Sequence, residues 1–380
     1  MRKWKQSMGY LTAALFFALS TGTVHAARES GILLNDKSTT MGSSQMIVKG
    51  ATWVPLKELA ESMGYALSWN QKTRAVVLIR PGREVTMKAN SKTATTNSTP
   101  LLLAKAPNIL NGKLYVHLVS AVSAMGGKTW TDKSTGNIML VDEPRFTSTS
   151  IKGRAYWVSQ KSGEIFFRSS TDSKPESIGT FQLGESPYTH WLQIKNAGKG
   201  NDLLLLIDKH YAMFNDFSNS YQALIQNGKI VKQMNYHTII PSYPHSTGLP
   251  SEQLYMTDGK NVQYINADGS LGKLFELEQG SGITGDFTVE YAAKDVLLVR
   301  DLKHTGLFAI HTLSGEYTNL SAELIRSEDR KDWDTADGSD PYVLTKMLTL
   351  KKREGNVMTF TYSALSDSEV KTVVYILNKE

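Results

Sequence analysis

The segment Trp53-Val54-Pro55-Leu56-Lys57-Glu58-Leu59-Ala60-Glu61-Ser62-Met63-Gly64 decides the fold of the first third of this 380-residue chain. Its apolar residues recur at the spacing of one helix face: Leu56, Leu59, Ala60 and Met63. Pro55 stands where its missing N–H costs nothing, and Gly64 stands where a helix ends. The pattern predicts a two-turn amphipathic helix that packs on its apolar face.

A related segment, Tyr115 to Gly126, follows 62 residues later. The same helix face recurs in it: Leu118, Ala121, Val122 and Met125. A tryptophan in a predicted β-hairpin follows each helix, Trp69 after the first and Trp130 after the second, one residue earlier than in the first copy. Each copy therefore predicts a unit of strand, helix and hairpin, which makes a two-repeat α+β module. For Trp53, Trp69 and Trp130 we expect core or half-core packing in preference to a ligand platform.

The first copy has a characteristic order of features: Val-Pro-Leu-Lys, a helix, Met-Gly, Trp69-Asn70 and a Val/Ile strand. This order resembles the copper amine oxidase N-terminal-like domain, also called the stalk domain, of secreted Firmicute proteins. The resemblance covers residues 31–142, and the domain is predicted to span 27–145. The second copy departs from the pattern at His117, where the family has proline. In that family the repeat is an accessory, surface-displayed module, so the resemblance implies a structural role for residues Trp53 to Trp130.

The family name suggests an enzyme, but the residues do not support copper amine oxidase activity. Those enzymes are similar to one another in using a tyrosine in an Asn-Tyr-acid context and three histidine ligands, two of them one residue apart. The nearest match here, Asn235-Tyr236-His237, lacks the acid, and the eight histidines include no His-x-His pair. We therefore expect neither bound copper nor this activity.

The N-terminal residues 1–26 have the three parts of a secretory signal peptide. Arg2, Lys3 and Lys5 precede the apolar run 11–19, and the small-residue site Val24-His25-Ala26 follows. This leader holds three of the 42 basic residues and none of the 36 acidic ones, so the mature chain is nearly neutral and has no nucleic-acid footprint. No later apolar run is long enough to cross a bilayer, which predicts no transmembrane segment after signal removal.

The chain contains no cysteine, which excludes disulfides, thiol catalysis and zinc-thiolate sites. An exported protein without cysteine is typical of Gram-positive bacteria. We expect a secreted, extracellular protein associated with the cell wall.

We predict an all-β domain for residues 150–380, because short apolar runs alternate there with glycine-containing turns. Ile225, Ile265 and Ile310 each precede such a turn, at spacings of 40 and 45 residues. That period suits a four-stranded propeller blade and predicts about five blades, with a β-sandwich as the alternative. The last strand, 371–377, is expected to close the ring beside the strands near Ala155.

Two motifs in this domain invite functional interpretations. The run Gly280 to Gly285 fits a dinucleotide-binding expression, but it leads into a predicted strand where phosphate binding needs a helix, which favours a turn. An acidic stretch offers four candidate calcium ligands: Asp332, Asp334, Asp337 and Asp340. Its spacing is not that of an EF-hand, so we expect a solvated loop and no cofactor. A bound calcium ion is the alternative.

Seven aromatic and histidine residues form the candidate ligand-binding set: Tyr188, His190, Trp191, Tyr236, His237, Tyr243 and His245. They lie in predicted loops, and flat aromatic rings suit sugar or peptide surfaces. The alternative is that they only hold their loops on the scaffold.

These observations favour an exported, non-catalytic cell-envelope protein in which a stalk module presents a β domain. Its expected partner is a cell-wall polymer, a carbohydrate or a surface protein. The alternative is a secreted glycan- or peptide-acting hydrolase or lyase, with its site in the C-terminal β domain where the candidate loops meet two carboxylates.

Overall fold

The computed structural model describes residues 31–39, 41, 44–171, 173–184, 189–212, 215–238, 249–331, 333 and 340–377. The predicted leader lies outside these residues. Strands dominate the described residues and form eight separate sheets. No helix within the described ranges is long and apolar enough to cross a membrane.

The first region holds thirteen strands and two helices. Its strands are β1 (Ile32–Leu34), β2 (Lys37–Ser38), β3 (Met46–Val48), β4 (Ala51–Pro55), β5 (Ala66–Asn70), β6 (Ala75–Arg80), β7 (Arg83–Lys88), β8 (Thr93–Thr96), β9 (Thr99–Leu102), β10 (Asn108–Leu110), β11 (Lys113–His117), β12 (Lys128–Thr131) and β13 (Ile138–Val141). Its helices are α1 (Leu56–Ser62) and α2 (Leu118–Ala124). Each helix follows a strand directly and precedes a glycine with positive φ, Gly64 at 69° and Gly126 at 89°.

The two helices cover one core, centred on the antiparallel pair β4 and β11. Val54 lies opposite Val116 in this pair, so residues 62 positions apart face each other at its centre. The apolar faces of both helices are buried in the same cluster, together with Val85 and Met87 of β7. The hairpin after α1 is extended by the next strand, β7, which pairs with β6, and the hairpin after α2 is extended by β1, which joins β13 in parallel.

The second region holds eighteen strands. In the first two sheets they are β14 (Phe146–Ile151), β15 (Arg154–Ser159), β16 (Glu164–Arg168), β17 (Glu176–Thr180), β18 (Thr189–Gly198), β19 (Asn201–Ala212), β20 (Asn215–Gln226) and β21 (Lys229–Thr238). In the third to fifth sheets they are β22 (Leu254–Thr257), β23 (Asn261–Ile265), β24 (Leu271–Glu276), β25 (Phe287–Ala292), β26 (Val296–Asp301), β27 (Leu307–His311), β28 (Tyr317–Asn319), β29 (Thr349–Glu354), β30 (Val357–Tyr362) and β31 (Lys371–Ile376). Each sheet is an antiparallel meander of three or four strands consecutive in sequence.

Four short helices interrupt this region, which the sequence pattern did not predict: α3 (Leu277–Ser281), α4 (Leu320–Leu324), α5 (Ser327–Arg330) and α6 (Pro341–Lys346). The glycine-rich run ends α3 and does not open a helix, because Gly282 is its C-cap at φ 71°. Tyr317 packs against Gly280, where an added Cβ would meet the ring at 2.0 Å. The run is therefore a structural turn, and it has no helix N-terminus for a phosphate.

The five sheets pack in chain order. Apolar clusters join the first to the second, the second to the third, the third to the fourth and the fourth to the fifth. Among the described residues, no such cluster joins the fifth sheet to the first. The last strand was predicted to close a ring with the first strands near Ala155, but in the described structure β31 pairs with β30 and belongs to a different sheet from β14–β17.

The first region and the first sheet meet at a buried junction. Ile79 of β6 packs there with Ala155 and Trp157 of β15, beside Phe146. On the other side of β6, Arg80 forms a bidentate ion pair with Asp142 at 2.6 and 2.8 Å. The guanidinium also donates to the carbonyl of Met63. The end of α1, its hairpin and the first sheet are thus tied together by one set of buried contacts.

Candidate functional site

The prediction that the histidine-containing segments are loops is wrong for their described residues, because His190 lies in β18 and His237 in β21, both strands of the second sheet. His190 of β18 is opposite Asp208, which is opposite Asn219, which is opposite His237 of β21. In this row of residues, Asp208, Asn219 and His237 have side chains on the same face of the sheet. Asp208 lies two residues beyond Leu206, which packs on the first sheet, so these three side chains are on the face toward the first sheet.

Hydrogen bonds connect three members of this row. The Asn219 amide donates to Asp208 Oδ2 at 3.4 Å and accepts at Oδ1 from the His237 ring. Since an amide oxygen only accepts, Nδ1 of His237 is the donor. The Asp208 side chain is buried and that of His237 is exposed, so the row links an interior carboxylate to a surface imidazole. It contains one carboxylate, not the pair that glycoside hydrolysis requires.

Two of the four candidate tyrosine and tryptophan residues, Trp191 and Tyr236, lie on the opposite face of the same sheet. Trp191, Ile207, Ser220 and Tyr236 form the next row. The Tyr236 ring packs over Gly259 in the third sheet, where a Cβ added to the glycine would lie 2.6 Å from the ring. Tyr236 therefore packs the second sheet against the third. Trp191 is exposed. Tyr188, Tyr243 and His245 lie outside the described residues.

The candidate calcium ligands are only partly described. Asp332, Asp334 and Asp337 lie outside the described residues, whereas Asp340 caps α6 by accepting from the Tyr342 N–H at 2.8 Å. Within the described ranges, no three His, Asp or Glu side chains come close enough to hold a metal ion.

An apolar groove lies in the first region, where no binding site was predicted. It has a volume of about 460 Å³ and lies between α1, β5 and the β10–β11 hairpin. Apolar side chains line it: Leu56, Leu67, Trp69, Val76, Ile109 and Leu114. Trp69 is 39% exposed, and its indole N–H donates to Gln71 at 2.7 Å, which fixes the ring. Lys57, Glu58, Glu61 and Lys113 form the polar rim.

The two hairpin tryptophans face opposite sides of their sheets. Trp69 lies opposite Val76, a core residue, so it faces the core side. In the other hairpin the core residue Leu140 lies opposite Thr129. Trp130 is the next residue, and side chains alternate along a strand, so it faces outward. The one-residue displacement visible in the sequence therefore moves this tryptophan to the other face.

Of the three tryptophans for which core or half-core packing was predicted, only Trp53 is half-buried. It lies edge-on to His117, with ring centroids 6.2 Å apart, and burial lowers the pKa of that histidine. Trp69 and Trp130 are exposed, the latter by 48%, contrary to the prediction. Exposure at Trp69 comes from its position at the open margin of the core.

A smaller polar pocket of about 260 Å³ lies in the fourth sheet, and sequence reasoning missed it. Asp301, fully buried, accepts from Nδ1 of His304 at 2.8 Å, and Ser321 and Arg330 line the same pocket. Asp301 also accepts from the backbone N–H of Lys303, as in a turn. The only signal in the sequence was the i, i+3 spacing of Asp301 and His304.

Residues 33–140 match the family described as the copper amine oxidase N-terminal domain. The match confirms the resemblance noted for the first region and covers less than a third of the chain. No curated protein matches.

Several solved structures are similar at low identity. A nidogen/laminin complex shares 10% identity with a TM-score of 0.20, over 72% of this chain and 87% of that chain. Apo AztD from Citrobacter koseri shares 12%, with a TM-score of 0.19, over 67% and 85%. A GH93 α-L-arabinofuranosidase of Fusarium graminearum shares 10%, with a TM-score of 0.20, over 87% and 72%. Identities and TM-scores at this level transfer neither fold nor function.

Proposed function

We propose that this protein is an exported, non-catalytic component of a Gram-positive cell envelope, secreted by a signal peptide at residues 1–26. Its first region is a two-repeat, stalk-like module that presents the second region to a wall polymer, a carbohydrate or a surface protein. The match of residues 33–140 supports the module, because in the family it names this domain is accessory to the catalytic part. The five sheets stacked in chain order support a propeller-like second region, and we propose that it works without a cofactor.

One observation carries the binding assignment: the second sheet is longer than its neighbours and bears the candidate residues at one end. Its strands have 10 to 12 residues. The strands of the third sheet have only 4 to 6. Trp191 and His237 lie at the same end of the long strands, on opposite faces. Each group suits a polyhydroxylated polymer on its own face: the exposed indole supplies a stacking surface, and the imidazole oriented by Asn219 supplies a hydrogen bond.

Pull-down of residues 27–380 on purified peptidoglycan and wall polysaccharide tests this assignment. We expect retention of the native chain and its loss in the Trp191→Ala/His237→Ala double variant. Trp130→Ala is the matched control, since Trp130 is equally exposed but lies in the first region. Equal retention of all three chains would place the binding surface elsewhere, and no retention of the native chain would contradict wall binding.

A hydrolase acting on glycans or peptides is the second candidate, favoured by the Asp301–His304 contact. A carboxylate that orients an imidazole is part of the machinery that activates a serine, and Ser321 lines the same pocket. The Ser321 hydroxyl oxygen already accepts a hydrogen bond from the Leu307 N–H at 2.9 Å, which favours a structural role for this serine. A fluorophosphonate probe decides between them: labelling that disappears in Ser321→Ala supports the hydrolase, and an unlabelled native chain contradicts this serine mechanism.

A further inference from the structure

The groove beside Trp69 is bordered by a free sheet edge. The five-stranded sheet runs in the order β5-β6-β7-β8-β9, and among the residues that the structure describes β5 pairs on one side only, with β6. Leu67 and Trp69 of this edge strand both line the groove. The outer backbone N–H and C=O groups of an edge strand are available to pair with another extended chain.

The apolar floor of the groove defines the side chains that such a chain would present. Leu67 and Trp69 are two residues apart on one strand, so an added strand would place alternate side chains over them. The aliphatic floor formed with Leu56, Ile109 and Leu114 accepts apolar side chains, and the volume of about 460 Å³ is that of a ligand site. The Trp69 ring is already held by Gln71, so little ordering is needed on binding.

The charges around the groove define one end of the partner. Along the rim, Lys57 pairs with Glu61 at 3.8 Å and Lys113 with Glu58 at 3.4 Å, which leaves the rim neutral. Lys72 and Arg74 follow Trp69 in the exposed β5–β6 turn. Among the described residues, no carboxylate lies within salt-bridge distance of either. Because this turn follows the end of β5, its cations are complementary to a carboxylate at the end of a strand added to β5.

We propose that β5 and the Trp69 groove bind an extended peptide as an added strand, with alternate apolar side chains in the groove and an acidic end at Lys72 and Arg74. The backbone edge favours a peptide over a sugar, which has no main chain to continue a sheet. The unpaired cations favour an acidic peptide over a second copy of β5, because β5 has no carboxylate that could pair with Lys72 and Arg74. This site lies in the first region and is separate from the wall-binding surface proposed for the second sheet.

The test uses residues 27–380 and a fluorescein-labelled peptide, Thr-Val-Thr-Leu-Thr-Asp-Asp, followed by fluorescence anisotropy. We expect saturable binding that weakens at least about tenfold in Trp69→Ala, since burial of the indole under apolar side chains contributes on this scale. Trp130→Ala should bind within about twofold of the native chain. A peptide with Lys in place of both Asp residues should bind more weakly, and the Lys72→Glu/Arg74→Glu variant should reverse that preference.

Hydrogen exchange of the same complex tests the strand addition itself. Bound peptide should slow exchange in residues 66–70, because a new neighbour pairs the outer amides of β5. The proposal is overturned by displacement of the peptide by an N-acetylglucosamine tetramer, by equal losses in Trp69→Ala and Trp130→Ala, or by binding without protection of 66–70. It is also overturned if the free chain is a dimer in which 66–70 is already protected. Wall retention measured with the second-sheet variants is independent of all these outcomes.

Discussion

The indole N–H of Trp157 donates a 2.8 Å hydrogen bond to the carbonyl oxygen of Gly64, and both groups are buried. Trp157 lies in the first sheet of the second region, and Gly64 ends α1 in the first region. The glycine that terminates the helix therefore also accepts a hydrogen bond from the neighbouring region. This dual role explains why the junction forms at the end of α1 and not along the exposed face of the helix.

Replacing Trp157 with Phe should lower the free energy of unfolding by about 1–3 kcal/mol, because the Gly64 carbonyl loses its buried donor. Loss of buried aromatic area adds to the effect. Chemical denaturation followed by circular dichroism measures it. Trp130→Phe is the control, since Trp130 is exposed and should change stability by less than about 0.5 kcal/mol. Equal effects of the two substitutions would mean that the junction contributes nothing.

Gly64→Ala should destabilise the protein more than Gly50→Ala, although both glycines have nearly the same positive φ, 69° and 73°. An alanine at either position costs about 1–2 kcal/mol of backbone strain. At Gly64 the new Cβ would also lie 2.6 Å from the backbone oxygen of Phe146, whereas at Gly50 nothing lies within 4 Å. Thermal unfolding of the two variants separates the clash from the strain. Matching melting temperatures would show that the junction moves aside freely.

The elements of the first region are predictable from sequence because their signals are local. The helix face of Leu56, Leu59 and Met63, and the stop at Gly64, all lie within nine residues of one another. The junction is different, since Trp157 and Gly64 are 93 residues apart and nothing in either segment marks a partner. In the same way β1 reaches β13 across the whole region, which no local pattern shows.

The candidate sites show the same difference between local sequence signals and contacts made only in the folded chain. Exposed aromatic residues such as Trp191 were identifiable by type, but the register that aligns His190 with His237 needs the folded sheet. The groove was missed because Trp69 has the spacing of a packing residue. Its exposure depends on β5 lying at a sheet edge, which is a property of the complete strand order. The outward orientation of Trp130, by contrast, follows from the alternation of side chains along a strand and from its one-residue displacement alone.

Arg80→Met should destabilise the chain by about 3–5 kcal/mol, because it leaves the Asp142 carboxylate buried without its cation. Both side chains are nearly inaccessible, and burial raises the pKa of Asp142 against the opposing effect of Arg80. Lys57→Met breaks an exposed pair with Glu61 and should cost less than about 1 kcal/mol. Urea denaturation compares the two variants. The double variant Arg80→Met/Asp142→Leu should recover much of the loss, since it leaves no unpaired charge; a double variant as unstable as Arg80→Met would contradict this account.

Acid should weaken the fifth sheet through Asp329, which joins α5 to β31. Lys371 donates to both oxygens of the Asp329 carboxylate, at 2.6 and 2.7 Å, and Tyr362 donates at 2.9 Å. The hydrogen bond from Lys371 is the main cause that lowers the pKa of Asp329 below its ordinary 3.8. The unfolded chain therefore takes up this proton at higher pH than the folded chain does. The stabilisation is complete above the unfolded pKa and is lost as pH falls through the lower, folded pKa.

Urea unfolding of the native chain and of Asp329→Asn, over a series from about pH 7 to about pH 2.5, measures this linkage. The native chain should be more stable by a constant amount above about pH 5, and the difference should shrink below about pH 4. Glu354→Gln breaks the exposed pair with Lys352 and should stay close to the native curve throughout. If the curves of native protein and Asp329→Asn run parallel down to the lowest pH, the Lys371 contact does not bias the protonation of Asp329, and the anchor between α5 and β31 rests on packing alone.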